Sequence, residues 1–214
     1  MREKVKVRRP YHSSTRQEQA RRTRRSIIDA AHHLFLTDGF AATTMPAVAA
    51  SAGVAVQTVY KAFANKPRLA KAVFDIAIAG DDEAVPMLER EALSKVRNEP
   101  DPQTMLRLYG EFLATAAPRH VPVQLVIRDA AAADPDARAV WTELQAERLA
   151  GMTIFATALH ERGQLRNDVS IDDARDTLWT YNSAELYQLL VIERGWTPDH
   201  YGQWVAAALT AALL

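Results

Sequence analysis

Residues 43–63, "TTMPAVAASAGVAVQTVYKAF", set the tightest limit on what this chain can fold into. They hold two short apolar-periodic segments, Met45 to Ala52 and Val56 to Phe63, joined across Gly53. Helices this short are marginal alone in water and need a further element to bury their apolar sides. Thr44 ahead of Met45-Pro46 reads as an N-cap with proline in the first turn. Gly53 permits a left-handed backbone at a tight connection. At 100° per residue, Val56, Val59 and Phe63 fall on one side of the second segment, with Gln57 and Lys61 opposite and Thr58 and Tyr60 flanking them. The apolar side can pack on Val48 and Ala49 and on Leu34 and Phe35 upstream. This is a helix-turn-helix. Its second helix shows an amide, a hydroxyl and an ammonium, which are the groups that read base edges. Tyr60 and Thr44 suit phosphate oxygens, which fix register without carrying sequence information.

A net charge of zero conceals a sharp division. Residues 1–71 carry 14 Lys and Arg against 4 Asp and Glu, whereas the remainder carries 12 against 22. A basic first third joined to a helix-turn-helix implies a polyanionic partner. Cysteine is absent, which removes disulfides, thiol nucleophiles and Cys-based zinc sites together. No apolar run approaches the roughly 18 residues of a membrane span, and the N-terminus lacks a signal-peptide pattern. A cytoplasmic protein with no membrane partner is expected.

No stretch alternates with period 2, so the whole chain reads as all-α. Thr15-Arg16-Gln17-Glu18 has capping-box form ahead of a helix over about 16–37 that Gly39 ends. Asn65 with Pro67 opens a helix that runs to about 79, and Gly80-Asp81-Asp82 breaks it. Further helices are expected over about 84–97, 102–116, 120–132, 135–162, 170–194 and 198–213. Pro100, Pro102, Pro118, Pro135, Gly163, Gly195 and Pro198 mark the joints. The expected division is a disordered basic arm over 1–20, a three-helix helix-turn-helix domain over 21–81, and a larger helical domain over 82–214.

The string "GFAATTMPAVAASAGVAVQTVYKAFANKPRL" resembles the DNA-binding segment of the tetracycline-repressor (TetR) family of bacterial transcription regulators. Gly39, Phe40, Thr43, Thr44, Ala52, Gly53, Val54, Thr58, Tyr60, Phe63, Lys66 and Leu69 agree with the family pattern in type and spacing, and "RRTRRSIIDAAHHLF" resembles its first helix. The likeness covers about residues 21–80. It departs at Ala55, where the family has a Ser or Thr cap, and at Pro46, Val48 and Lys61. The resemblance implies a dimeric repressor that binds a palindromic double-stranded DNA operator and is released by a small molecule. It places Thr44, Gln57, Thr58, Tyr60, Lys61, Lys66 and Arg24 at the DNA. No cofactor or metal is implied.

One helix-turn-helix reads few base pairs, so such proteins pair two of them. The helix from about 170 carries Leu178, Trp179, Leu186, Leu189, Leu190 and Ile192. The final helix carries Tyr201, Trp204, Val205, Ala208, Leu209 and Ala212 at i, i+3, i+4, i+7 spacing. Two such stripes can build an intermolecular four-helix bundle or pack internally. As dimer residues we single out Trp179, Leu186, Leu190, Trp204 and Ala208. For an effector pocket we single out Tyr109, Phe112, Arg148, Met152 and Phe155. Arg148 is the one charge on an otherwise apolar stripe, Trp141, Leu144, Met152, Phe155 and Leu159. It requires a carboxylate such as Glu185 or Glu111, an anionic ligand, or a route to water along its stem.

Two other classes stand against the regulator. An enzyme would need hardware that is missing: there is no Gly-rich phosphate loop, His-Glu-x-x-His or Gly-x-Ser-x-Gly. Asp29 and His33 stand i,i+4 on the first helix, a spacing that reads as a surface ion pair rather than as metal ligation. A helical adaptor binding membrane or RNA through its basic arm would leave the Gln57/Lys61 face unexplained.

Overall fold

The computed structural model of the chain describes residues 11–214 apart from 84 and 86. Ten α-helices, α1 to α10, follow one another without strands among the described residues. They are α1 (Tyr11–Ala42), α2 (Met45–Ala52), α3 (Val56–Phe63), α4 (Lys66–Ala79), α5 (Glu91–Asn98), α6 (Pro102–Ala130), α7 (Pro135–Glu161), α8 (Ile171–Tyr181), α9 (Ala184–Tyr187) and α10 (Pro198–Leu213). A 3-10 turn, Met87–Glu89, precedes α5, and a π-helical stretch, Gln188–Glu193, prolongs α9.

Helices α2 and α4 begin and end where their capping residues stand. Thr44 accepts from the Ala47 amide at 3.2 Å, and Asn65 accepts from that of Arg68 at 3.0 Å. Gly53 and Gly80 close α2 and α4 in the left-handed region. Gly39, at φ 82 and ψ 168, breaks α1 near its end as expected. The beginning of α1 differs from the sequence reading. Its backbone is helical from Tyr11, so Thr15 lies inside a helix and is no N-cap, and residues 11–20 are not a disordered arm. Residues 1–10 of that arm lie outside the described residues.

Two joints are corrected. Pro118 does not separate two helices: it and Pro122 both lie inside α6. An interior proline costs about 3 kcal/mol in an exposed helix. Here Ala116, Ala117, His120, Val121 and Val123 are buried across the supposed joint, and tertiary packing holds the axis continuous. Arg119 donates to Thr115 O at 2.7 Å in the same turn. The span read as one helix over 170–194 is instead interrupted at Asn182, after which Ser183 caps α9 by accepting from the Leu186 amide.

The core forms two clusters. The first joins Ile27, Phe35, Val48, Val59, Phe63 and Leu69 of α1–α4 to Val123 and Ile127 of α6 and to Ala137, Val140 and Leu144 of α7. The second holds Met105, Tyr109, Leu113 and Met152 with Leu178, Tyr201, Val205 and Leu209. Helices α6 and α10 approach most closely where two glycines meet. A Cβ built on Gly110 would lie 2.3 Å from Gly202 O, and the reciprocal distance is also 2.3 Å.

His120 sits where α4 meets α6. It is 6% exposed, packs edge-on to Phe74 with ring centroids 5.5 Å apart, and its Nδ1 lies 2.9 Å from Ala116 O. Burial pushes its pKa down from 6.5 to about 4. Below about pH 6.5 the unfolded chain therefore binds a proton that the native chain refuses. Stability is full above that pH and falls as pH drops toward 4, by roughly 3 kcal/mol over the window. Denaturant midpoints of wild type and His120→Phe, compared from about pH 7 to pH 5, should show the steeper fall in wild type. Parallel profiles would remove His120 as the cause.

Candidate nucleic-acid interface and interior cavity

The two sides of α3 separate cleanly. Val59 is 0% and Phe63 5% exposed, whereas Tyr60 is 48% exposed and Gln57 and Lys61 face solvent with it. Thr58 is half-buried beside them, and Thr44 is exposed at the start of α2. The structure thus brings Thr44, Gln57, Tyr60 and Lys61 to the surface of one helix-turn-helix, on a scaffold fixed by the first core cluster. Ala55 precedes α3 in extended conformation and makes no side-chain cap. Ala55→Ser should supply the missing acceptor and stabilise the protein by about 1 kcal/mol. A thermal midpoint unchanged or lowered by the substitution would count against this account of the helix start.

Two expected DNA residues also contact their own chain: Arg24 stays exposed and Lys66 is half-buried. The Arg24 guanidinium lies 4.3 Å from the Phe63 ring centroid and 3.4 Å from Ala62 O, so it covers the C-terminal end of α3. The Lys66 ammonium donates to Phe40 O at 3.2 Å, sits 4.3 Å from the Phe40 ring and lies 3.7 Å from Asp134. The start of α4 meets the end of α1 and the start of α7, and this junction gives the ammonium partners inside the fold. Neighbouring basic groups are also engaged. Arg21 makes a two-pronged pair with Asp82 at 2.8 and 2.5 Å and pulls that carboxyl down to about 2. Arg25 pairs with Asp29, which leaves no Asp29–His33 couple.

Three polar links join α4 to the C-terminal helices. Lys66 faces Asp134 at the N-cap of α7. Lys71 bridges Asp75 at 2.6 Å and Glu147 of α7 at 3.0 Å. Arg119 of α6 donates to Ala77 O at 3.0 Å and Ile78 O at 3.3 Å, capping the last carbonyls of α4.

Of the expected pocket residues, Tyr109, Met152 and Phe155 converge. The Tyr109 and Phe155 rings meet edge to face at 5.2 Å, and the Tyr109 hydroxyl lies 3.4 Å from Met152 Sδ. With Leu93, Val96 and Met105 they line an apolar cavity of about 90 Å³ between α5, α6 and α7. Phe112 stacks on Tyr109 but faces a separate, open cleft of about 750 Å³, alongside Ile78, Asp81, Arg90, Leu108 and Arg119. Arg148 does not line the cavity; its guanidinium lies over the Trp179 ring at 4.3 Å. Neither proposed carboxylate reaches it: Glu111 pairs with Arg107 at 2.5 Å and Glu185 with Arg128 at 3.4 Å. Burial lowers its pKa from the usual guanidinium value and raises that of the Tyr109 hydroxyl.

The expected dimer stripes are partly internal. Trp179, Leu186, Leu190, Trp204 and Ala208 are each half-buried, and the first four pack on the protomer's own second core. The Trp179 ring lies beneath Arg148 of its own chain. The most exposed apolar groups nearby are Leu189 (49%) and Ile192 (54%) on the π-helical stretch.

Residues 27–73 match the family model described as "Bacterial regulatory proteins, tetR family". The match falls on the helix-turn-helix and on the helices that hold it. The chain thus carries a helix-turn-helix segment of the TetR type. It is a DNA-binding transcriptional regulator. A relative of this chain, the protein named "Probable HTH-type transcriptional regulator ArpR" of Pseudomonas putida, is 26% identical over 172 residues, covering 77% of this chain and 78% of the relative. Two solved structures share the fold. The fatty acid degradation regulator FadR of Bacillus halodurans has a TM-score of 0.70 at 18% identity and covers 96% of this chain and 97% of its own. FadR of Bacillus subtilis, in complex with stearoyl-CoA, has a TM-score of 0.68 at 19% identity and covers 88% and 98%. No helix among the described residues is long and apolar enough to cross a membrane.

Proposed function

We propose that the chain is a homodimeric repressor that reads a palindromic operator with α3 and leaves it when a small molecule binds among the C-terminal helices. The reading divides the chain near residue 81, with α1–α4 reading DNA and the rest pairing subunits and sensing, and it sets the protein to work in the cytoplasm. One observation carries it: Gln57, Tyr60 and Lys61 stand outward from a helix whose Val59 and Phe63 are locked into the core. Gln57 and Lys61 read base edges, Thr58 supports them, and Thr44 and Tyr60 hold phosphates. Arg24 and Lys66 act from behind this face. Arg24 closes the end of α3, and Lys66 fixes where α4 begins.

Release follows from the attachment of α4. Its two ends and its middle are gripped from α6 and α7, so a ligand that shifts those helices shifts the reading heads of both subunits relative to each other. A coupling of about 1–3 kcal/mol between the sites lowers operator affinity about 5- to 150-fold. An apolar cavity in the same helices supports a small organic effector, and one neighbour of the same fold is in complex with stearoyl-CoA. Dimerisation is supported by the exposed Leu189 and Ile192 and by the half-buried Trp204 and Ala208 of α10.

The test is selection of duplexes from a random pool by the purified protein, followed by sedimentation of the complexes. Enrichment of a two-fold symmetric site bound by two copies is the expected result. Enrichment of asymmetric or unrelated sequences, or binding as a lone chain, would sink the reading.

A further inference from the structure

The inner face of α7 holds more hydrogen-bond donors than it has acceptors. The Arg148 guanidinium donates one Nη to the carbonyls of Trp179 and Asn182, and the other to Gln145 Oε1 at 2.7 Å. Its Nε has no partner. Neither does Gln145 Nε2 nor Trp179 Nε1, and all three nitrogens are shut off from solvent. Two more donors rest on a single thioether, a weak acceptor: the Tyr109 hydroxyl at 3.4 Å and Asn182 Nδ2 at 3.8 Å both point at Met152 Sδ. No carboxylate among the described residues lies within ion-pair distance of Arg148. A buried donor without a partner is costly, and a buried cation without a counter-charge more so. A native protein that keeps three such donors in contact around one cation has a site shaped for acceptor oxygens carrying one negative charge.

The cluster adjoins the apolar cavity of about 90 Å³, and Tyr109 and Met152 belong to both. We propose that the two form one site for a small monocarboxylate. Its head accepts from Arg148 Nε, Trp179 Nε1 and Gln145 Nε2, and its short apolar body fills the cavity beside Phe155 and Val96. One guanidinium balances one charge, which favours a carboxylate over a doubly charged phosphate. An apolar cavity of about 150 Å³ takes a benzene ring, so this one suits a shorter, straight-chain body. The proposal rests on the effector-responsive reading above and names the class of molecule for it. The site also stands beside the grip on α4, because Glu147, the residue before Arg148, is the one that holds Lys71.

Thermal shift and calorimetry on the full chain, without DNA, test the site directly. The probes are straight-chain carboxylates from propanoate to octanoate, with 1-pentanol and inorganic phosphate as comparisons. A short carboxylate should raise the unfolding midpoint in a saturable way, while pentanol and phosphate do so at least tenfold more weakly. Arg148→Met should abolish the carboxylate response; its ligand-free midpoint falls because Trp179 O, Asn182 O and Gln145 Oε1 lose their donor, and the response is read against that lower midpoint. Gln145→Leu should weaken the response without abolishing it. A series with no saturable response overturns the proposal. So does a carboxylate response that survives Arg148→Met, or pentanol binding as well as pentanoate. Operator binding is then measured separately. A carboxylate that binds through Arg148 and leaves DNA affinity unchanged would refute the regulatory reading and leave the site standing. Release by some other molecule, with no carboxylate response, would do the reverse.

Discussion

Gly110→Ala should lower the stability of the protein by about 3 kcal/mol or more. Overpacking a core commonly costs about 1–3 kcal/mol when side chains can yield. The new Cβ would lie 2.3 Å from Gly202 O and 3.0 Å from Ala206 Cβ. Here the obstacle is backbone, so α10 must move as a body. For a chain of this size each kcal/mol shifts the thermal midpoint by about 2–4 °C, which places the expected drop near 6–12 °C. Gly202→Ala should behave alike, because its Cβ meets Gly110 O at the same distance. Gly151 is the internal control: it lies within α7, and a Cβ there meets nothing within 4 Å. Gly151→Ala should be neutral or raise stability by up to about 1 kcal/mol through helix propensity. Calorimetric scans of the three variants check the contrast. Equal effects at positions 110 and 151 would mean that the α6–α10 contact is looser than described.

The second large effect is on recognition. Replacing Gln57, Tyr60 and Lys61 together by alanine should cut affinity for a selected duplex at least 100-fold and leave the melting temperature nearly unchanged. A good base contact contributes about 1–3 kcal/mol of discrimination, and the Lys61 ammonium, a cation in the groove between phosphate strands as it reads a base edge, adds a salt-dependent share. None of the three side chains is buried, and the residues that dock α3, Val59 and Phe63, are untouched. Fluorescence anisotropy against the selected and a scrambled duplex, at two salt concentrations, separates the parts. Lys61→Ala alone should flatten the salt dependence on both duplexes. Gln57→Ala alone should narrow the gap between them. Retention of tight, selective binding by the triple variant would move the interface elsewhere on the molecule.

The sequence revealed most where its signals act over a few residues. Thr44, Gly53, Asn65 and Gly80 each satisfy or terminate a helix end with their own side chain or backbone, so α2, α3 and α4 are bounded as expected. The same local logic failed at Pro118. The proline is unfavourable there by itself, and only the burial on both sides of it keeps α6 whole. The contacts that Arg24 and Lys66 make within the fold were hidden for a related reason. Their partners, Phe63 with Ala62 and Phe40 with Asp134, lie 26 or more residues away, and no spacing along the chain announces them. Arg148 was legible as an anomaly on an apolar stripe. Gln145 stands one turn before it on the same face and could have been joined to it by spacing alone. Trp179 could not, because its stripe pointed equally well to a subunit interface.

The first core cluster ignores the boundary at residue 81. Ile27, Val48 and Leu69 share their interior with Val123, Ile127, Val140 and Leu144, which lie 44 or more residues downstream of Ala79, the last residue of α4. A fragment ending after α4 would uncover that shared surface and lose the contacts that hold its helices in place. Exchange of reading heads between relatives, whether by recombination or by an engineer, must therefore carry the matching ends of α6 and α7 along with the head, or find a trunk that already supplies side chains of the same shape.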